Sequence, residues 1–171
     1  RTAGFFSFDQ AGMTEAGKVS NILLMMVGGS SGSTAGGIKT VTVVVILLFM
    51  LSRARGKSSV CVYKRTIPAA QVMDAMTITA LMIFMSLLGA IFITATCGVS
   101  FIDSWYESVS ALATVGITAG ATASLTVAAQ IMVILFMYFG RVGILTISLG
   151  FLMGNRAEER FSYAETNLLI G

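Results

Sequence analysis

Two glycine-bearing runs and one arginine mark the places in this 171-residue sequence where chemistry could be done. One is the run Gly28, Gly29, Ser30, Ser31, Gly32, Ser33, Thr34, Ala35, Gly36, Gly37, which interrupts an apolar stretch. A second is Thr114-Val-Gly-Ile-Thr-Ala-Gly120, and a third is Arg141, the only charge between Leu125 and Met153. Covalent chemistry has little to work with. The chain has no His, the commonest general base and metal ligand, and Cys61 and Cys97 alone cannot build a metal cage. The run from Gly32 to Thr40 matches the phosphate-binding pattern G-x-x-x-x-G-K-[ST] only in part, because Ile38 separates Gly37 from Lys39. What remains is backbone chemistry: carbonyl dipoles that take over part of a cation's hydration shell, and a helix break that lines or blocks a cavity.

Such backbone must be positioned by elements of a membrane protein. The composition is 56% hydrophobic and 11% charged, against about 25% charged in ordinary soluble domains. A formal charge of +3, from 11 Lys and Arg against 8 Asp and Glu, makes no footprint for nucleic acid. Three apolar stretches can be measured against the roughly 20 residues that cross a bilayer core. Val19 to Leu51 is broken at Gly28 to Gly37 and by Lys39; Ala75 to Ile102 carries no charge before Asp103; Leu125 to Met153 carries only Arg141. The chain starts with Arg1 and has no signal-peptide pattern, so we expect a fragment that lacks an N-terminal part.

Charge asymmetry predicts orientation, since cytoplasmic loops carry the excess of Lys and Arg. The loop 52–68 holds Arg53, Arg55, Lys57, Lys64 and Arg65 with no acid and is expected inside. The segment 97–124, with Asp103 and Glu107, is expected outside, and the tail 154–171 inside. Cys61 and Cys97 then lie on opposite sides of the membrane, which excludes a disulfide between them.

Ser100 to Val115 is apolar enough to be buried and too short to span. The Ser104-x-x-Glu107 spacing fits a helix capping box, and at 1.5 Å per residue the segment makes a half-helix of about 22 Å. The glycines of Thr114 to Gly120 predict non-helical backbone directly after it. A spanning helix, a re-entrant half-helix, a Gly-bearing extended stretch and a second spanning helix resemble the pore unit of potassium-channel-like proteins; the plainer reading is an extracellular loop with an amphipathic helix. An internal repeat favours the pore unit. A shift of 112 positions pairs Thr2-Ala3-Gly4-Phe5 with Thr114-Val115-Gly116-Ile117, Thr14 with Thr126, Ala16 with Ala128, and Gly28 with Gly140.

Arg1-Thr-Ala-Gly-Phe5, the run Gly28 to Thr40, Ala113-Thr-Val-Gly-Ile-Thr118 and Gly140-Arg-Val-Gly-Ile-Leu-Thr146 together resemble the third and fourth repeats of the Trk/Ktr/HKT potassium transporters, over essentially the whole chain. The likeness is to the membrane subunit of bacterial Ktr and Trk uptake systems. It implies an all-α polytopic membrane protein and not an enzyme: residues 1–51 finish a third pore unit, 52–68 form the cytoplasmic loop, 69–153 a fourth unit and 154–171 a tail. It implies a selectivity filter at Thr2, Ala3, Gly4, Phe5, Thr114, Val115, Gly116 and Ile117, whose carbonyls bind K⁺, and a gate at Gly28 to Gly37 with Arg141. It further implies a bacterial cytoplasmic membrane location, a homodimer on a cytosolic ring of nucleotide-binding regulatory subunits, and completion of the pore by the N-terminal half of the same polypeptide. No cofactor is expected beyond the transported K⁺, with Na⁺ a candidate coupling or activating ion. Two departures stand out: the first two repeats are absent, and Ser31 replaces a common Pro.

Arg141 pairs with Gly29 in the repeat, so the two should share a depth. An ionisable side chain there is costly and is a functional candidate: it could donate to loop carbonyls beneath the filter and repel a passing cation, or serve structure alone. The alternative function is a secondary transporter with its substrate site at the discontinuous helix. Such proteins usually carry inverted repeats, whereas the 112-residue shift implies parallel ones. Lys39, Asp74 and Glu107 read as anchors or caps, and Trp105, Tyr106 and Tyr138 as ordinary membrane-protein aromatics.

Overall fold

The computed structural model describes residues 4–30, 36–56, 60–62 and 65–142. The filter positions Thr2 and Ala3, the loop positions Ser31, Gly32, Ser33, Thr34 and Ala35, and the tail lie outside the described residues.

The first apolar stretch folds as two helices, α1 (Glu15–Met26) and α2 (Thr40–Ala54). Thr14 caps α1, its hydroxyl accepting from the Gly17 N–H at 3.3 Å. The helix stops where glycines begin, but its freed backbone groups find partners across the break: Gly28 N–H donates to Ile38 C=O at 2.8 Å, Ile38 N–H to Met26 C=O at 2.9 Å, and Thr40 N–H to Gly29 C=O at 3.2 Å. The loop is thereby closed at its base by a short parallel bridge between Val27 and Ile38. Gly28 is required by this closure, because a Cβ there would sit 2.0 Å from the Gly36 carbonyl oxygen.

After α2, a two-residue antiparallel pairing of β1 (Cys61–Val62) with β2 (Arg65–Thr66) turns the chain into α3 (Ala69–Cys97). Twenty-nine residues at 1.5 Å rise give about 44 Å, enough to cross a hydrocarbon core of about 30 Å with tilt. Gly98, left-handed with φ of 66°, ends it. The half-helix is α4 (Phe101–Leu112), of about 18 Å, too short to span. Its cap corrects the sequence expectation. Ser100, not Ser104, is the N-cap: its hydroxyl accepts from the Asp103 N–H at 3.2 Å and donates to the Asp103 carboxylate at 2.8 Å. Ser104 and Glu107 lie one turn further on and are buried. A short 3-10 turn at Ala121–Ser124 leads to α5 (Val127–Val142).

The repeat is visible in the backbone. α1 starts at residue 15 and α5 at 127, 112 residues apart, and Thr126 precedes α5 as Thr14 precedes α1, accepting from Ala129 N–H at 3.4 Å. The two helices then part company: α1 breaks after Met26, while α5 runs through the matching positions 139–142.

α4 is the hub, packing on α3, α5 and α1. Its inner face buries Tyr106, Val109 and Leu112 with Ile22, Met82, Ile93 and Phe136. Small residues let the helices close, as is usual within membranes. A Cβ on Gly89 would lie 2.4 Å from both Phe136 and Ser108, and the Ser108 hydroxyl donates to the Ser86 carbonyl at 2.9 Å. Outward faces carry large apolar side chains, among them Phe84, Ile91, Ile134 and Leu135.

Candidate ion filter and intramembrane loop

The end of α4 dictates the course of the chain beyond it. Ala113 N–H donates to Val109 C=O at 2.8 Å, Thr114 N–H to Ala111 C=O at 3.1 Å, and Val115 N–H to Ser110 C=O at 2.9 Å. Ile117 N–H donates to the Ser110 hydroxyl at 3.0 Å. The N–H groups of this strand are thus directed back onto α4. Thr114 has φ of 54° and Gly116 φ of 83°, with Val115 between them at negative φ. In an ordinary strand successive peptide groups face opposite ways. Alternation of the sign of φ instead brings them to one side, as in the anion-binding nests where N–H groups converge. Here the N–H groups of Thr114, Val115 and Ile117 turn toward α4, and the Val115 carbonyl oxygen faces Gly4. A Cβ on Gly116 would meet nothing within 4 Å, so the strand faces open space at that point.

Gly4 supplies the second strand. Its φ is 71°, matching the sign of Gly116, and a Cβ on it would lie 2.9 Å from the Val115 carbonyl oxygen. Gly4 therefore stands beside Val115, although 112 residues separate it from Gly116. Phe5 beside Gly4 is 90% exposed on this chain.

The intramembrane loop touches the same strand. Gly36 N–H donates to the Thr114 hydroxyl at 3.0 Å. A Cβ on Gly36 would lie 2.5 Å from that hydroxyl and 2.7 Å from the Ala113 carbonyl oxygen. Gly37, with φ of 75°, follows, and its Cβ position is 3.4 Å from Ala113. From the other side Gly140 presses on the C-terminus of α4, where a Cβ would sit 2.0 Å from the Leu112 carbonyl oxygen. The loop base, the segment after α4 and α5 thus meet around residues 112–114. Gly29 and Ser30 lie on the first limb of the loop, and Arg141, in the last turn of α5 next to Gly140, is exposed on this chain.

Behind the strands lies a polar scaffold that the sequence reading overlooked. Gln10 Nε2 donates to the Phe8 carbonyl at 3.2 Å, while its Oε1 accepts from the Tyr106 hydroxyl at 3.2 Å and from Asn21 Nδ2 at 3.1 Å. Asn21 also donates to the Tyr106 hydroxyl at 2.9 Å. This network ties the segment after Gly4 to α1 and α4. Tyr106 is fully buried, a structural anchor rather than an interfacial aromatic. Glu107 does the same for the segment that follows Gly116, accepting from the hydroxyls of Thr118 and Thr122, the latter at 2.9 Å. The signal for both was polar residues recurring amid apolar sequence. At the outer end of α4, Asp103 pairs with Lys18 of α1 at 2.6 Å. Burial raises its pKa, but the hydrogen bonds from Lys18 and Ser100 and the Lys18 charge outweigh it and hold the carboxyl below the usual value. Among the described residues no group of three or more His, Cys, Asp or Glu could hold a metal ion.

Comparisons with known proteins show the family. A family profile, TrkH, described as a cation transport protein, matches residues 1–161. The potassium/sodium uptake protein NtpJ of Enterococcus hirae is 36% identical over 178 residues, covering 100% of this chain and 39% of its own length. The Ktr system potassium uptake protein B of Bacillus subtilis is 36% identical, covering 96% of this chain and 37% of its own length. Its namesake in Vibrio alginolyticus is 35% identical over 100% of this chain and 37% of that protein. The chain spans about two-fifths of the length of these relatives. With strands, broken helix and half-helix all falling inside the matched residues, this chain belongs to the TrkH family of cation transport proteins.

Proposed function

We propose that this chain forms part of a potassium-uptake pore in a bacterial cytoplasmic membrane, acting by ion dehydration and gating and not by catalysis. The observation that carries the reading is the juxtaposition of Gly4 with Val115: two strands with matching positive-φ glycines, 2.9 Å from Cβ position to carbonyl oxygen. Carbonyls of Thr2 to Phe5 and of Thr114 to Ile117 would contribute two sides of a ring around K⁺. Two further units in the same polypeptide would supply the rest. Relatives named as potassium uptake proteins support the choice of ion; Na⁺ remains a coupling or activating candidate.

The loop from Gly28 to Gly37 is the gate in this reading. Support comes from its base, which is anchored at Val27–Ile38 and bonded through Gly36 to Thr114 directly under the filter. Arg141 follows the glycine that packs on the α4 terminus and would oppose a cation leaving the filter. The basic loop 52–68 and the tail face the cytosol, where a nucleotide-binding ring meets a homodimer; the name "Ktr system" of two relatives fits a multi-component assembly.

The test is K⁺ and Na⁺ uptake by the full-length protein in cells that lack potassium transport. Gly116→Ser places a Cβ and a hydroxyl in the open space beside the filter, and K⁺ over Na⁺ discrimination should fall. Unchanged selectivity in a well-expressed variant sinks the filter assignment.

A further inference from the structure

Between the end of α2, the residues Val60 and Thr66 to Pro68, and the start of α3 lies a cleft of about 430 Å³. Phe49, Val60, Ile67, Val72, Met73 and Met76 form its apolar wall, and of its remaining lining residues Arg53 and Thr66 are polar. The Arg53 guanidinium stacks on the Phe49 ring at 5.5 Å, which holds the charge at the rim of the cleft. From Ser52 to Met73 the sequence has five Lys or Arg and no Asp or Glu, and Arg55 and Arg65 are exposed on the segments that border the cleft. Asp74, also exposed, is the first acid beyond it.

The cleft sits where α2 ends and α3 begins, and the end of a helix long enough to cross a bilayer belongs near the level where headgroups meet acyl chains. An apolar slot at that depth is open to lipid tails, and a positive rim selects among headgroups. We propose that this cleft is a binding site for an anionic phospholipid, one acyl chain lying along Met73 and Met76 and the phosphate held by Arg53. The planar guanidinium matches phosphate oxygens in pairs, and its stacking on Phe49 leaves its edge for them. Charge complementarity favours an anionic lipid over a zwitterionic one, and the positive-inside placement of the loop puts the site in the cytoplasmic leaflet, where such headgroups act on basic juxtamembrane segments. The leaflet, though not the site, rests on the orientation proposed above.

Full-length protein purified in mild detergent is delipidated and offered dioleoylphosphatidylglycerol or dioleoylphosphatidylcholine, and bound lipid is counted by native mass spectrometry. Wild type should retain phosphatidylglycerol about fivefold more strongly than phosphatidylcholine, the contribution of one basic residue beside an anionic headgroup. Arg53→Gln should abolish that preference, and Arg53→Lys should restore part of it. Ala69→Trp, which fills the cleft from the first turn of α3, should lower retention of both lipids. K⁺ uptake by each variant verifies that it is folded. Equal retention of the two lipids by wild type, or phosphatidylglycerol binding unchanged in both Arg53→Gln and Ala69→Trp, overturns the site. So does displacement of the lipid by inorganic phosphate alone, which marks a free-anion site. A membrane-impermeant thiol reagent applied from either side to Arg55→Cys, in a background with its native cysteines replaced by serine, reads the leaflet separately, so a wrong orientation and an absent site give different results.

Discussion

Glycine at positive φ is where single residues decide the outcome. A Cβ costs about 1–2 kcal/mol in left-handed backbone, so Gly4→Ala and Gly116→Ala bear a similar strain. They differ in surroundings: at Gly4 the new methyl meets the Val115 carbonyl oxygen at 2.9 Å, and at Gly116 it meets nothing. Gly4→Ala should therefore lower K⁺ uptake per folded transporter more than Gly116→Ala does, and equal losses would count against contact between the strands. Thr114 gives a second contrast. Its hydroxyl accepts the Gly36 N–H, and a neutral hydrogen bond of this kind contributes about 1 kcal/mol. Thr114→Val keeps the shape and removes the acceptor, so it should raise leak flux when the regulatory ring is inactive, while Thr114→Ser should not. Flux in liposomes containing the full assembly distinguishes the two.

At the scale of elements, the parts depend on how closely helices approach. Gly140→Ala drives a methyl into the Leu112 carbonyl at 2.0 Å. Overpacking of this sort costs roughly 1–3 kcal/mol, and thermal unfolding of the full-length protein should show a loss of at least that size, against little effect for Ala128→Gly on the exposed face. The ion pair between α1 and α4 has a pH signature. Asp103 has a depressed folded pKa, so its contribution is present above the unfolded value of about 3.9 and lost as pH falls through the folded one. The Tm difference between wild type and Asp103→Asn should stay constant from pH 5 to 8 and shrink below about pH 4. Much of this layer was readable from residue order, because apolar length marks α3 and the glycine run marks the break between α1 and α2. The cap of α4 is ambiguous in the sequence because two Ser-x-x-acid frames, Ser100–Asp103 and Ser104–Glu107, follow one another directly, and only burial separates them: Asp103 meets Lys18 at the rim, whereas Glu107 is buried among threonines. The Gly36–Thr114 bond joins residues 78 apart, and no local pattern encodes such a pair.

For the molecule as a whole, the proposed filter would have only two of its strands on this chain and leave an ion half surrounded. Lipid provides no hydrogen-bonding partners for exposed backbone, so purified residues 1–171 in liposomes should give no K⁺-selective flux. Selective flux from this segment would refute completion of the ring by further units of one polypeptide. The exposed apolar faces of α2 and α5 and the 90% exposed Phe5 show how much surface such units, or lipid, have to cover.

The hydrogen bond from Gly36 to Thr114 has a thermodynamic corollary. If Thr114 belongs to an ion site, as proposed above, the bond makes the position of the loop and the shape of that site a single linked equilibrium, and linkage is reciprocal. If withdrawal of the loop weakens K⁺ binding at the filter by some factor, then K⁺ in the filter must disfavour withdrawal by that same factor. Permeant ion concentration would then act as an effector of opening, and a regulatory subunit that pulls on the loop would work against an occupied filter more than against an empty one.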